Sequence, residues 1–259
     1  MQHTTHITSI PLPEIRTLGI QQPLQWLRAA WREMWREPAI SLAYGAVCGL
    51  AFAVLTLVLM RAQRYDVALA LAAGFVFIGP LLAVGLFEKS RRIEAGEPLH
   101  LFKILTAWRR NPSQIRGVGL ILMLIMIGWI ALSNLLFAFL FKVAPPTGEQ
   151  FFNTLFMTNQ GLPYLLAFGL IGLVAVCVAF AFVFCSIQLL LHDPELDAIS
   201  AVLISYEAVR QNLMVTAWWA LLIVLLTFVG VATFYLGMFV IFPLLGHASW
   251  HAYRDTIAQ

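Results

Sequence analysis

Charge is scarce in this chain of 259 residues, where Asp, Glu, Lys and Arg make up only 11%, against about a quarter in an ordinary soluble domain. That shortage excludes a water-soluble globular fold. Cysteine is scarce too: Cys48, Cys177 and Cys185 sit in apolar runs with no CxxC pair and no nearby His, so neither a disulfide framework nor a zinc site is indicated. No His-Glu-x-x-His motif occurs, which removes the sequence signature of a zinc protease. The first twenty residues lack an apolar core behind a basic start and carry Pro11 and Pro13, so no cleavable signal peptide is expected and the first span should stay as an anchor. Strand-like alternation is missing as well, which excludes a membrane β-barrel.

What is present is apolar. Hydrophobic residues make up 61% and the mean hydropathy is +0.84, so most of the chain must satisfy its backbone in helices within a non-aqueous solvent. Six stretches, 39–60, 67–87, 117–141, 162–191, 213–231 and 233–252, come near the roughly 20 residues a spanning helix needs. The last two share one run, with a tight turn expected near Gly230 and Gly237. On this division Arg16, Arg28, Arg32, Arg36, Lys89, Arg91, Arg92, Lys103, Arg109, Arg110, Arg116, Arg210 and Arg254 fall on one side, and only Arg61, Arg64 and Lys142 on the other. The positive-inside bias then puts both termini in the cytoplasm of a bacterial inner-membrane protein.

The surface segments repeat. WREMWREPAISLAYG, AWRRNPSQIRGVGL and YEAVRQNLMVTAWWAL each run from an aromatic, basic helix through a breaker into an apolar span, and GPLLAVGLFEKSRR aligns with FPLLGHASWHAYRD. This suggests units over 22–95, 99–191 and 196–255. The expected fold is an all-α polytopic membrane helical bundle, with six transmembrane helices in three hairpins, each preceded by an amphipathic interfacial helix. Residues 1–21 read as a disordered cytoplasmic tail, and 22–259 as a single membrane domain.

In the first surface helix, Trp26, Leu27, Ala30, Trp31, Met34 and Trp35 share one face, with Arg28, Arg32, Glu33 and Arg36 largely opposite. With Trp108 and Trp250, Trp26, Trp31 and Trp35 are expected to anchor at the membrane interface. The arginines should attract anionic inner-leaflet lipids. The third surface helix is acidic, with Asp193, Glu195, Asp197 and Glu207. It would either dock on the basic first or second surface helix, the second through Arg109 and Arg110, as a collar, or simply present a solvated face.

Chemistry is thinly represented. His247, His251 and Asp255 share a helical face, a weak candidate for a metal or haem edge against the plainer reading of hydrogen-bonded helix residues. Mid-span polar residues are few, namely Ser41, Ser133, Asn134, Gln188 and Thr227, with no mid-span Asp, Glu, Lys or Arg, so ion coupling is poorly supported. Pro80 and Pro243 interrupt two spans at matching places. They are either simple kinks or broken helices around a ligand or transport site comprising Pro80, Asn134, Gln188, Pro243 and His247. The GAVCG stretch from Gly45 to Gly49 permits close helix approach within the chain or between chains.

The segments AWREMWREPAISLAYG, LAAGFVFIGPLLAVGLFEKSRRIEAGEP, AWRRNPSQ and PLLGHASWHAYRD together resemble a bacterial integral membrane family known as domain of unknown function 2189. The resemblance runs over about 25–256 and implies a proteobacterial inner-membrane location and six helices, without a known activity. Some members carry a cytochrome c oxidase-like label, yet the histidines that haem and copper need in the spans are absent here. The leading expectation is a non-enzymatic scaffold or accessory factor with a membrane-protein partner and no cofactor. The alternatives are a transporter of a small uncharged molecule or lipid, and an accessory subunit of a respiratory, cytochrome oxidase-type complex. No nucleic-acid partner is expected.

Overall fold

A computed structural model describes residues 13–142 and 149–258, without the side chains of residues 66, 69, 70, 72–77, 149 and 151. In chain order the helices are α1 (Gln22–Met34), α2 (Pro38–Arg61), α3 (Tyr65–Leu82), α4 (Val84–Glu94), α5 (Leu101–Leu105), a 3-10 turn (Ala107–Arg110), α6 (Pro112–Phe141), α7 (Glu149–Met157), α8 (Gly161–Val183), α9 (Ser186–His192), α10 (Ala198–Gln211), α11 (Leu213–Ala232) and α12 (Met238–Thr256). Among the described residues the only extended pairing is a single bridge between Ile15 and Ile257. Pro23, Pro38 and Pro112 each stand in a first helical turn, where a missing N–H costs nothing. Asp197 opens α10 by accepting the Ser200 N–H at 2.9 Å, a standard N-terminal cap.

Among the described residues, four helical stretches are long and apolar enough to cross a membrane: α2, α6, the joined α8–α9 and α11. At 24 residues α2 is about 36 Å long, more than the roughly 30 Å of a bilayer's hydrocarbon core. Val47, Leu50, Val54, Leu57 and Val58 on α2, and Leu162, Leu166, Leu170 and Leu173 on α8, point outward and are exposed. An apolar surface that extensive belongs in lipid.

The molecule is organised around α12, which packs on α1, α2, α4 and α11. Toward it α2 turns a narrow stripe of Ser41, Gly45, Cys48, Gly49 and Phe52. Proline has no N–H to offer the carbonyl one turn earlier, so Pro243 frees the Phe239 oxygen, and a β-carbon on Gly45 would collide with that oxygen and with the Pro243 ring at 2.8 Å. The small residues of GAVCG therefore serve an intramolecular contact.

Two helices are interrupted. Ala83 separates α3 from α4 just beyond Pro80, and Phe184 and Cys185 separate α8 from α9. The second break is filled from α10: the Cys185 N–H donates to Ser205 Oγ at 3.1 Å, and Ser205 Oγ donates to the Ala181 carbonyl at 2.9 Å, so the interrupted backbone finds partners. The turn between α11 and α12 occupies 233–237, with Phe234 and Tyr235 in the left-handed region. Tyr235 is held there by its hydroxyl, 2.9 Å from Thr56 Oγ1.

Of the expected tail 1–21, residues 1–12 lie outside the described residues and the remainder is tied down. The Arg16 N–H donates to the Thr256 carbonyl at 2.8 Å and the Ala258 N–H to the Glu14 carbonyl at 2.9 Å. The Asn212 side chain accepts from the Leu18 N–H at 2.8 Å and donates to the Arg16 carbonyl at 3.1 Å. Nothing in the polar composition of this segment advertises pairing with residues some two hundred positions away. Its two partners bring both ends of the described chain to the same end of the bundle.

Gly45→Ala should lower stability by about 2 kcal/mol or more, because overpacking against a backbone carbonyl has no rotamer escape. Gly128→Ala, where an added β-carbon meets nothing within 4 Å, should be neutral or slightly stabilising. Melting temperatures of both variants in one detergent test this, and equal effects would contradict the packing described.

Candidate functional site: a buried polar chain and an apolar cavity

At the end of the bundle where Arg16 pairs with Thr256, polar side chains from four elements converge. Lys89 of α4, fully buried, donates from Nζ to Ser41 Oγ at 2.6 Å and to the Glu37 carbonyl at 3.0 Å. Ser41 Oγ lies 2.9 Å from His247 Nε2 and Ser90 Oγ lies 2.8 Å from His247 Nδ1. Since Lys89 can only donate, Ser41 gives its hydrogen to Nε2, which leaves the imidazole hydrogen on Nδ1, pointing at Ser90. Ser90 in turn hydrogen-bonds Glu33. The result is a directed chain from an ammonium to a carboxylate through two hydroxyls and one imidazole.

Glu33 ends the chain and receives more. His247 Nδ1 is 2.9 Å from its Oε1, and His251 Nε2 is 2.7 Å from its Oε2. Burial pushes the Glu33 carboxyl up, but the His247 and His251 contacts and the Ser90 bond outweigh it and hold the group well below the ordinary carboxylate range. Burial pulls the Lys89 ammonium down to about 8, against the opposing pull of Glu33 and Glu37. One turn beyond His251, Asp255 accepts from Trp26 Nε1 at 2.7 Å. The face of α12 that carries His247, His251 and Asp255 is thus the docking face for α1. Among the described residues no group of three or more His, Cys, Asp or Glu is arranged to hold a metal ion.

Beside this chain lies an arginine–carboxylate cluster. Buried Glu88 is met by Arg91 at 2.9 Å, Arg92 at 2.7 Å and Arg110 at 3.6 Å, and Arg91 and Arg92 also reach Glu97. This corrects the expected collar. Arg110 is used on α4, Arg109 lies over the Trp108 ring, and the acidic groups near α10 are spent locally, Glu207 on Arg210 and Asp197 on Ser200. The start of α10 is held instead by amides: Asn111 Nδ2 donates to the Leu196 carbonyl at 3.1 Å, and Gln114 Oε1 accepts the Ala198 N–H at 3.0 Å.

The tryptophans divide in the same way. Trp31, Trp35 and Trp108 are exposed, whereas Trp26 and Trp250 are 1% and 2% exposed. Neither buried ring is an interface anchor: Trp26 packs edge-on against Trp219, and Trp250 Nε1 donates to Glu94 at 3.0 Å. The indole N–H found a carboxylate in each case, a pairing that helical spacing alone does not reveal.

The five residues expected to form a ligand site separate into four places. Pro80 and Gln188 line a cavity of about 90 Å³ between α3–α4, α8–α9, α11 and α12, with Phe87, Trp219 and Phe242. Pro243 packs on Gly45 and His247 belongs to the polar chain. Asn134 bonds within its own helix, donating to the Ile130 carbonyl at 3.0 Å. Conversely, Glu33, Lys89 and Ser90 were missed by the sequence reading. The signal available was the pair His247 and His251, whose ring nitrogens require hydrogen-bond partners once α12 is packed.

This bundle of apolar helices tied by internal polar contacts has the character of an integral membrane protein. Residues 68–192 match the family described as predicted integral membrane protein (DUF2189); the chain is an integral membrane protein whose likeness to that family covers this stretch, a little under half of its length. The matched stretch runs from α3 to α9, so AWREMWREPAISLAYG and PLLGHASWHAYRD lie beyond it. No curated protein and no solved structure matches the chain.

Glu33→Ala should cost roughly 3–5 kcal/mol, since it leaves buried donors without their acceptor. Because the Glu33 carboxyl binds its proton less readily folded than unfolded, its contribution is fully present above the ordinary value of 4.5 and is lost as the pH falls further. The melting temperature should therefore drop more steeply below that pH in the wild type than in Glu33→Gln; parallel pH profiles would contradict the assignment. Charge reversal should discriminate the arginines, with Arg92→Glu strongly destabilising and Arg109→Glu shifting stability by less than about 0.5 kcal/mol, read in the same melts.

Proposed function

We propose that this chain is a non-enzymatic scaffold or accessory factor of the bacterial inner membrane, and that it crosses the bilayer six times in three hairpins. The observation that carries the functional reading is the use made of its buried chemistry. The Lys89–Ser41–His247–Ser90–Glu33 chain and the Glu88 cluster join structural elements to one another. They are spent on holding the fold.

The six-span reading takes α3–α4 and α12 as the second members of the first and third hairpins, alongside the four long apolar stretches. Three observations favour it. The first is that the two ends of the described residues meet through Arg16 and Thr256, as an even number of crossings between them requires. The second is the gathering of most Lys and Arg residues on one side, which makes that side cytoplasmic. The third is the recurrence of a surface helix, a long apolar helix and a returning helix along the chain. On α1 the outward Leu24, Trp31 and Trp35 suit the headgroup boundary, with exposed Arg28, Arg32 and Arg36 facing anionic inner-leaflet lipids. The partner of the scaffold is another membrane protein seated on the exposed apolar flanks.

Reporter fusions test the topology: a cytoplasmic reporter should be active after residue 258, and a periplasmic reporter should be active when inserted at 143–148. A periplasmic reporter active at the C-terminus would end the six-span reading. Purification from native membranes followed by native mass spectrometry should return a stoichiometric complex with one defined membrane protein. A chain that stays monomeric in its own lipids would overturn the scaffold assignment.

A further inference from the structure

The cavity beside Gln188 occupies the level at which the bundle is least regular. It is bounded by Gly79, Pro80 and Ala83 at the α3–α4 interruption, by Phe184 and Gln188 at the α8–α9 interruption, and by Gly246 of α12 one turn after Pro243. Helices that break or bend cannot keep neighbours in register across the break, and the space left over is the cavity. Among the described residues its lining holds no Asp, Glu, Lys or Arg. A charged molecule finds no counter-charge there, and an apolar cavity of this kind stays dry and takes up apolar molecules.

One group breaks the apolar lining with unmet demand. Gln188 is 2% exposed, its Nε2 donates to the Ser249 carbonyl at 3.4 Å, the long end of hydrogen-bond geometry, and its Oε1 has no partner. A buried carbonyl oxygen without a donor is disfavoured, and the long Ser249 contact leaves the amide free to turn Oε1 toward the cavity by rotation about its terminal torsion. Thr227 lines the cavity from α11 and adds a hydroxyl. The rim residues Val176, Phe180 and Ile223 are half-buried, and beside them Val174, Val178, Val224 and Leu225 are exposed. The mouth therefore opens between α8 and α11 onto the apolar flank of the bundle, where the neighbouring phase is lipid chain.

We propose that this cavity binds a neutral lipid-like molecule by its hydroxyl-bearing end, with the hydroxyl donating to Gln188 Oε1 and the apolar chain leaving sideways between α8 and α11. The volume admits a hydroxyl and a few carbons, so the site recognises the end of a chain and not a whole lipid. The site stands independently of the scaffold reading, since it depends on Gln188 and the cavity and on no protein partner.

The test uses the full chain in phosphatidylcholine nanodiscs and two probes of equal length, 1-decanol and 1-methoxynonane, the second lacking a hydrogen-bond donor. Binding is read as the concentration dependence of the melting temperature, corrected for partition into lipid. One neutral hydrogen bond corresponds to roughly a three- to tenfold difference, so 1-decanol should bind the wild type tighter than the ether by that factor. In Gln188→Leu the preference should vanish while the ether still binds. Ile223→Trp, a rim substitution that leaves Gln188 in place, should weaken both probes together. A wild type that does not distinguish the probes, a preference that survives Gln188→Leu, or binding of both probes unaffected by Ile223→Trp would each overturn the proposal. The rim variant keeps the test decisive if Gln188→Leu fails to fold.

Discussion

A carboxylate without water around it must be given its partners by the protein, and Glu33 is where this chain meets that demand. It sits on a surface helix, yet it is buried against α12, and everything needed to keep it there comes from elsewhere: His247 and His251 from α12 and Ser90 from α4. Lys89 supplies the balancing charge through Ser41 of α2. Four elements distant in sequence are thereby fixed relative to one another by a single electrostatic requirement. In a bilayer, where apolar side chains gain little by leaving lipid for another helix, such polar ties carry specificity that burial supplies in a soluble protein.

The same logic explains why the interior of α12 is built as it is. Its first half is apolar and runs against α2 through the Gly45 contact, with Pro243 freeing the carbonyl that Gly45 accommodates. Its second half is polar on one face and meets α1 with His251 and Asp255. Few residues along it are free to change. The arginine cluster on α4 extends this firm end, since Glu88 draws three guanidinium groups from α4 and the 3-10 turn. The cavity lies just beyond, where the packing loosens at the helix interruptions.

Much of this was legible from residue patterns. The long apolar runs and their boundaries at Pro38, Pro112 and Asn212 emerge as α2, α6 and α11, because composition and proline placement act locally. The shared face of His247, His251 and Asp255 was also readable from spacing. What spacing does not give is the identity of the surface opposite. Trp26 and Trp31 lie five residues apart on α1, and only tertiary contact decides that Trp26 turns to Asp255 while Trp31 stays outside. Glu33 looked like part of a solvated charged face for the same reason, and the five residues grouped around the two prolines separated because matching positions in similar sequence segments need not face a common space. Of the two readings open for the acidic segment, the collar on Arg109 and Arg110 does not form, since counting charges ignores that Glu88 is nearer to Arg110 and already buried.

The position of α12 carries a consequence for how the protein is made. Ser41 and His247 are 206 residues apart, so when α1 and α2 leave the ribosome the helix that completes their contacts does not yet exist. During that interval Glu33 and the Gly45 stripe are without their α12 partners, while Lys89 already has Ser41 and the Glu37 carbonyl within the earlier segments. The contacts of α1 and α2 with α12 can therefore form only after α12 has been made. Assembly of this bundle is a closing step, performed once and late, with the last helix acting as its key.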